Sequence, residues 1–332
     1  MKIITVKSSD AGQRLDKFLK KSFPAATAGF LFKMLRKKNI VLNGKKSDGF
    51  DTLNPGDEIK VFFSDETFEK LKVGKRPDNS EASDKKSNPE RKRIKIPVIF
   101  ENEDIIFFNK PAGILSQSDD SNGYSVNDYL IDYLTEKGSY HTSDNYRPSV
   151  CNRLDRNTSG LIMCAKTYIG ARFLDECIKN HLMKKEYMAL CHGRLSGEGI
   201  LKGFYYKDKE KNKASVYDME KVPENIKSEV SPVETRYKAL SGNDEYTLVL
   251  VELITGKSHQ IRVHMAGAGH PLAGDIKYGG EKYKDINHQL LHSFRDTFPE
   301  SVPDENGIFK DRFKDILGKT FEAKAPAYFK LT

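Results

Sequence analysis

No apolar run in this chain approaches the ~18 residues that a membrane-crossing helix needs, so no membrane association is expected. Cysteine is scarce, and Cys151, Cys164, Cys177 and Cys191 form no C-x-x-C pair and have no histidine at zinc-site spacing. They read as reduced thiols of an intracellular protein. The opening residues Met1 to Val6 are too short an apolar stretch, and too soon followed by polar residues, for a secretory leader. The expected location is therefore cytoplasmic. Two apparent motifs fail on a missing or misplaced residue. Gly256-Lys257-Ser258 looks like the end of a phosphate-binding loop, but that loop needs a glycine where Val251 stands. His259 and His264, five positions apart, point ~140° apart on a helix and to opposite faces of a strand, so they do not readily share a metal. No metal is expected.

What is present is a chain of 332 residues, long enough for two domains or one large and one small. Its net charge of +8 is unevenly spread. Residues 1–63 hold 13 Lys and Arg against 6 Asp and Glu, residues 64–96 hold 10 against 7, and the remainder holds 32 against 34. A polyanion-anchoring module joined to a near-neutral body would show this asymmetry. Within residues 1–63, the spacing predicts one helix over Arg14 to Lys21 and a second from an N-cap at Thr27 to Lys38. The second carries Leu31, Met34 and Leu35 on one face and Lys33, Arg36 and Lys37 on the other, a cationic stripe suited to phosphates. A strand with an Asn43-Gly44 turn follows, then Pro55-Gly56 and a closing strand to Val61. Residues 64–96 hold almost nothing apolar between Gly74 and Arg93 and read as a flexible charged linker.

From residue 97 to 332, strands and helices alternate without a strict βαβ rhythm. Strands are expected at Val98 to Glu101, Ile105 to Asn109, Leu161 to Ala165, Glu186 to His192, Val233 to Leu240 and Tyr246 to Leu253. Helices are expected at Val126 to Glu136, capped by Ser125, at Thr167 to Asn180, and after a cap at Ser258. This is an α+β pattern, a mixed, largely antiparallel sheet with helices around it. Its chemistry centres on Asn152-Arg153-Leu154-Asp155-Arg156-Asn157-Thr158-Ser159-Gly160, which sets one carboxylate between two guanidinium groups on a turn anchored by a buried strand. An anionic nucleophile or base on a fixed loop is one reading. Taken alone, such a triplet is more often a surface ion-pair cluster worth little.

Two resemblances decide between them. Gly12-x-Arg14-Leu15-Asp16-Lys17-Phe18-Leu19, Leu35 to Lys38, Val41 to Lys45 and Pro55-Gly56-Asp57 together resemble the S4-like RNA-binding domain, over about 50 residues in order. That likeness implies RNA docking through Arg14, Lys33, Arg36 and Lys37. Lys110-Pro111-Ala112-Gly113, Arg153 to Gly160, Lys185-Glu186-Tyr187, Gly256 to Arg262 and the Gly269 to Gly279 loop resemble, in family order, the RluA-type pseudouridine synthases. The resemblance implies Asp155 as the essential aspartate, Tyr187 as the tyrosine beneath the uracil and Arg262 as the basic partner of the aspartate. It also implies that Arg153 enters the RNA stack where the uridine has left, and that Leu154 packs near the site. The implied reaction is isomerisation of uridine to pseudouridine without a cofactor. The implied partner is RNA, in the form of 23S rRNA of the large ribosomal subunit or its assembly intermediate, acted on by a monomer. The same chemistry on tRNA, or a non-catalytic rRNA-binding assembly factor, are the alternatives. Asn152, Asn157 and Leu115-Ser116-Gln117 depart from the usual pattern, and none lies at the three catalytic positions.

Overall fold

The structure is a computed structural model that describes residues 1–73, 94–119, 123–142, 144–304 and 307–329. The first unit holds β1 (Lys2–Thr5), α1 (Leu15–Ser22), α2 (Ala28–Arg36), β2 (Ile40–Leu42), β3 (Glu58–Val61) and α3 (Asp65–Lys72). Its strands form an antiparallel sheet in the order β1-β3-β2. Thr27 caps α2 by accepting from the Phe30 N–H, as its short hydroxyl side chain favours. Leu15, Phe18, Leu19, Leu31 and Leu35 turn inward against Ile40, Ile59 and Val61.

The expected linker starts too early. Residues 65–72 are helix α3, capped by Ser64, and Phe68 is buried with its ring edge-on to Phe23 at 5.3 Å. One large aromatic at the right position docks a segment that average composition marks as polar. Residues 74–93 of that linker lie outside the described residues. Asn145 donates to the Ser22 hydroxyl at 2.8 Å and Lys7 pairs with Asp144, so the first unit also touches the second.

The second unit is built on β4 (Val98–Glu101), β5 (Ile105–Lys110), α4 (Val126–Glu136), β6 (Ser149–Val150), β7 (Ser159–Ala165), α5 (Tyr168–Lys179) and β8 (Lys184–His192). It continues with β9 (Glu198–Asp208), β10 (Lys213–Tyr217), β11 (Ser231–Gly242), β12 (Tyr246–Leu253), α6 (Gln260–Gly267), β13 (Leu291–Thr297), α7 (Ile308–Arg312) and β14 (Thr320–Glu322). The strands form one sheet in the order β10-β9-β11-β12-β8-β13-β7-β5-β4, with β14 on β13 and β6 on β7. Every pairing is antiparallel except β13 with β7. The mixed, largely antiparallel sheet is therefore as the sequence implies.

One face of the sheet packs α4 and α6 through Leu130, Leu134, Ile261 and Met265, while the other packs α5 and α7 through Phe173, Leu174 and Phe309. The parallel crossing of β7 and β13 is unusually close. Gly160 has φ of +110°, and a Cβ there would lie 2.1 Å from the Ser293 carbonyl oxygen. Only glycine fits. That contact sets the start of β7, and thus the Asp155 loop, against the centre of the sheet.

Candidate active site

The Asp155 turn is fastened from below by two side chains. Lys110, at the end of β5 and fully buried, donates to the carbonyls of Arg156 at 2.8 Å, Ile114 at 2.7 Å and Pro111 at 3.1 Å. Burial lowers its ammonium to about 7, while the Asp155 charge acts in the opposite sense. Ser116 brackets Leu154, donating to its carbonyl at 2.8 Å and accepting from its N–H at 2.9 Å. The turn closes on itself where the Thr158 N–H meets the Asp155 carbonyl at 3.0 Å. Asn152 fills the position that departs from the family pattern by accepting from the Met163 N–H at 2.7 Å. These bonds hold the loop's carbonyls at Leu154, Asp155 and Arg156 and leave the Asp155 side chain 26% exposed at the surface.

Arg262 reaches this carboxylate from α6. Its Nη1 donates to Asp155 Oδ2 at 3.0 Å, while Nε and Nη2 clamp Asp275 at 2.6 and 2.7 Å. The guanidinium plane also lies 4.9 Å from the Tyr278 ring centre. One arginine thus serves two carboxylates. Asp275, 1% exposed, fixes the direction of the guanidinium and leaves one nitrogen for Asp155.

The start of α6 differs from expectation. Ser258 is not the cap; His259 precedes the helix with φ of +58°, a left-handed conformation that costs a non-glycine residue about 1–3 kcal/mol. Gln260 holds the turn by accepting from the Lys257 N–H and Thr255 hydroxyl, and by donating to the Glu234 carbonyl and Thr235 hydroxyl. Tyr205 donates to the Ser258 carbonyl at 2.9 Å, so that carbonyl meets a side chain instead of opening the helix, as the carbonyl of a capping residue does. The strained backbone aims the His259 ring at the site, with Nδ1 2.8 Å from the Tyr278 hydroxyl and Nε2 3.8 Å from Asp155 Oδ2. The Tyr278 oxygen accepts from the Ala214 N–H at 2.8 Å, so its own proton is directed to Nδ1. The tautomer assigned by this network carries its proton on Nε2, facing Asp155. Burial, opposed by the charge of Asp155 and aided by nearby cations, lowers His259 to about 4, so the ring is neutral at pH 7. His264 bonds Thr235 at 2.7 Å in the core, away from His259. Among the described residues no group of three or more His, Cys, Asp or Glu side chains is arranged to hold a metal.

Tyr187, on β8, lies in the same buried cluster as Leu154, Ile261 and Met265. Burial and the charges of Asp296 and Asp155 push its phenol up, opposed by the neighbouring Ser293 hydroxyl. The resting side chain is therefore a neutral phenol. Two strand partners beside it carry a second acid–base pair, Lys185 on β8 directly across from Asp296 on β13. Asp296 is 1% exposed, and neither carboxylate oxygen has a hydrogen-bond partner among the described residues. Burial raises its acid to about 7 and lowers the Lys185 ammonium.

Arg153 is exposed at the tip of the Asp155 loop, while Arg156 lies 3.8 Å from Asp119. In the first unit Lys33, Arg36 and Lys37 are exposed along and just past α2, although the helix stops at Arg36 rather than Lys38. Arg14 is tied by two hydrogen bonds to Asp16 and stacks 4.5 Å from the Phe50 ring centre, so much of its charge is locally balanced. Sequence reading missed His259, Asp275 and Tyr278 as site residues. It also missed Lys110 as the loop's fastening and Asp296 as a neighbour of Tyr187. Four of these fall in segments singled out as motifs, so the missing information was contact rather than composition. Asp296 lies in none.

Asp155, half-exposed, and Arg262, shared with the buried Asp275, thus lie beside a mixed sheet whose core holds Tyr187. Residues 104–267 match the RNA pseudouridylate synthase family, and the chain belongs to that family of enzymes, which isomerise uridine to pseudouridine. It is 32% identical to ribosomal large subunit pseudouridine synthase C of Rickettsia bellii, across 98% of this chain and 99% of that protein. The protein of the same name from Rickettsia felis is 31% identical across 95% and 94%. The solved human RNA pseudouridylate synthase domain containing 1 shares the fold, with a TM-score of 0.51 and 19% identity over 70% of this chain and 90% of that one.

Proposed function

We propose that this enzyme isomerises uridine in large-subunit rRNA, with Asp155 as the catalytic carboxylate, Arg262 as its partner and Tyr187 as the ring beneath the uracil. The observation that carries the reading is the Arg262 geometry, in which one guanidinium fixes Asp275 and presents Asp155. Isomerisation breaks the C1′–N1 bond, turns the uracil and forms a C5–C1′ bond; the C5 proton leaves and N1 gains one. A glycosidase would use two available carboxylates flanking the scissile bond. Here Asp275 is buried and doubly bonded, so Asp155 is the carboxylate open to the sugar. It can add to C1′ or remove a sugar proton to give a glycal. The neutral Tyr187 phenol offers a stacking surface and a proton donor rather than a resting base.

The target nucleotide must leave its stack, at a cost of a few kcal/mol. Arg153, exposed two residues before Asp155, would fill the gap. Residues 1–63 supply the excess positive charge and the exposed Lys33, Arg36 and Lys37, which fits docking on folded RNA through an S4-like surface. The relatives' names support rRNA as the substrate.

The test is tritium release from an unmodified large-subunit rRNA transcript labelled at uridine C5, with wild type, Asp155→Ala and Asp155→Asn. Turnover by wild type alone is expected. Release from tRNA but not rRNA would move the substrate. Binding without release by wild type would leave an rRNA-binding factor.

A further inference from the structure

Three lysines from separate segments meet beside the Asp155 site, and none of them pairs with a carboxylate among the described residues. Lys207 lies on β9, directly across the hairpin from Ala214, whose N–H donates to the Tyr278 hydroxyl. Lys213 opens β10, with its ammonium 5.9 Å from the Tyr278 ring centre. Lys277 immediately precedes Tyr278 and donates to the Asn212 carbonyl in the β9–β10 turn at 2.5 Å. Tyr278 is the hub. Arg262 stacks on its ring, and His259 bonds its hydroxyl and faces Asp155.

Other lysines of the same region are balanced. Lys202 meets Glu234 at 3.1 Å, Lys211 meets Asp208 at 3.7 Å and Lys221 meets Asp218 at 2.7 Å. Around Tyr278 the nearest acids are already engaged, since Asp275 is clamped by Arg262 and Asp155 also accepts from it. The cations there sense one another. Beyond burial, Arg262, Lys207 and Lys277 all lower His259 against the opposite pull of Asp155, and Arg262 and Lys207 do the same to Lys277 against the weaker pulls of Asp155 and Asp275. Gathering like charges with no carboxylate in direct contact is unfavourable, and an anion that arrives with the ligand relieves it. In RNA the anion next to a ribose is its phosphodiester. Contacts to phosphate set position and register without reading sequence.

We propose that Lys207 and Lys277 form a subsite for the phosphodiester adjoining the target nucleotide and so seat its ribose against Asp155. The inference rests on the RNA-isomerase reading of the site. It assigns the β9–β10 hairpin a substrate-positioning role separate from the cationic helix of the first unit.

The experiment uses the full-length protein, with Lys207→Gln/Lys277→Gln, the double Arg variant at the same positions, and Lys221→Gln as a paired-lysine control. Binding to an unmodified large-subunit rRNA transcript is measured from low to moderate salt, alongside tritium release. The double Gln variant is expected to flatten the salt dependence by about 0.7–0.9 in log Kd against log salt, the share of one lost phosphate contact. It should raise KM about tenfold with kcat changed by less than about threefold, as for lost uniform binding. The double Arg variant should keep the wild-type slope. An unchanged slope in the double Gln variant, or an equal loss in Lys221→Gln, would overturn the subsite. Wild type that binds the transcript but releases no tritium would instead sink the enzymatic reading, because the slope comparison needs no turnover.

Discussion

Two buried acid–base pairs, one between α6 and the loop that follows it and one across β8 and β13, are built in opposite ways. Arg262 and Asp275 share two short hydrogen bonds, and the remaining guanidinium nitrogen is given to Asp155. Lys185 and Asp296 stand across from each other on β8 and β13, yet the Asp296 oxygens receive no hydrogen bond among the described residues. The first pair keeps two full charges in place, which a planar five-donor group achieves when its acceptors match its geometry. In the second, burial dominates; it pushes the acid up and the amine down, toward a neutral pair. The difference places fixed charge beside Asp155 and reduced charge beside the Tyr187 ring.

Breaking the satisfied pair should have the largest effect. Arg262→Met leaves Asp275 buried without a partner and Asp155 without its anchor. Orphaning one member of a buried pair costs about 3–5 kcal/mol. Tritium release should fall by at least about a hundredfold, since a misaligned reacting group alone costs that much. Asp275→Asn keeps the shape but weakens the clamp, and should show a smaller loss of both stability and turnover. Urea unfolding and single-turnover kinetics on the two variants check the order. Equal, minor effects would mean that the Asp275 clamp does not orient Arg262.

The unsatisfied pair should respond with the opposite sign. The Asp296 acid is raised to about 7 from 3.8, so the folded chain keeps a proton that the unfolded chain has released across that window. Its favourable contribution is complete below about pH 4 and is lost as pH rises through about 7. Asp296→Asn removes this dependence. The variant should gain stability relative to wild type between pH 4 and pH 8, at up to about 1.4 kcal/mol per pH unit in the window. The unpaired Lys185 offsets part of that gain. Thermal unfolding at pH 5 and pH 8 reads the change. A variant that loses stability at pH 8 would show that Asp296 is a charged partner like Asp275.

The same contrast explains what was legible in the sequence. Val126–Glu136 and Tyr246–Leu253 match their expected bounds because the spacing of their apolar residues matches their local geometry and, for the helix, Ser125 is a strong cap. The Asp155 loop was legible from its turn residues and the apolar strand behind it. Central strand β13 was not, because Leu291–Thr297 carries His292, Ser293 and Asp296, all buried and polar. Hydrophobic alternation cannot find a strand whose inward residues serve a site. The hairpin of β9 and β10 was hidden by its lysines, which sit where half-exposed strands normally vary. Asp275 lay in a loop marked only by glycines. Its role depends on Arg262, 13 residues away, and appears only once α6 has folded.

The smallest expected effect concerns the bonds that let the satisfied pair reach its target. Ser116 is the only side chain bonded to both backbone groups of Leu154 among the described residues, and it is 4% exposed. Ser116→Ala leaves a buried N–H and a buried carbonyl without that partner, at a cost of about 1–3 kcal/mol. Lys110 still holds the following carbonyl of Arg156, so the loop should loosen rather than detach. Ser116 lies beneath the turn and has no part in the proposed RNA contacts. Its loss should therefore lower kcat several-fold with KM nearly unchanged, the pattern of an interaction felt only in the transition state. Steady-state tritium release on Ser116→Ala measures the split. A rise in KM at constant kcat would instead place Ser116 in substrate binding, and the loop's two fastenings would then have separate functions.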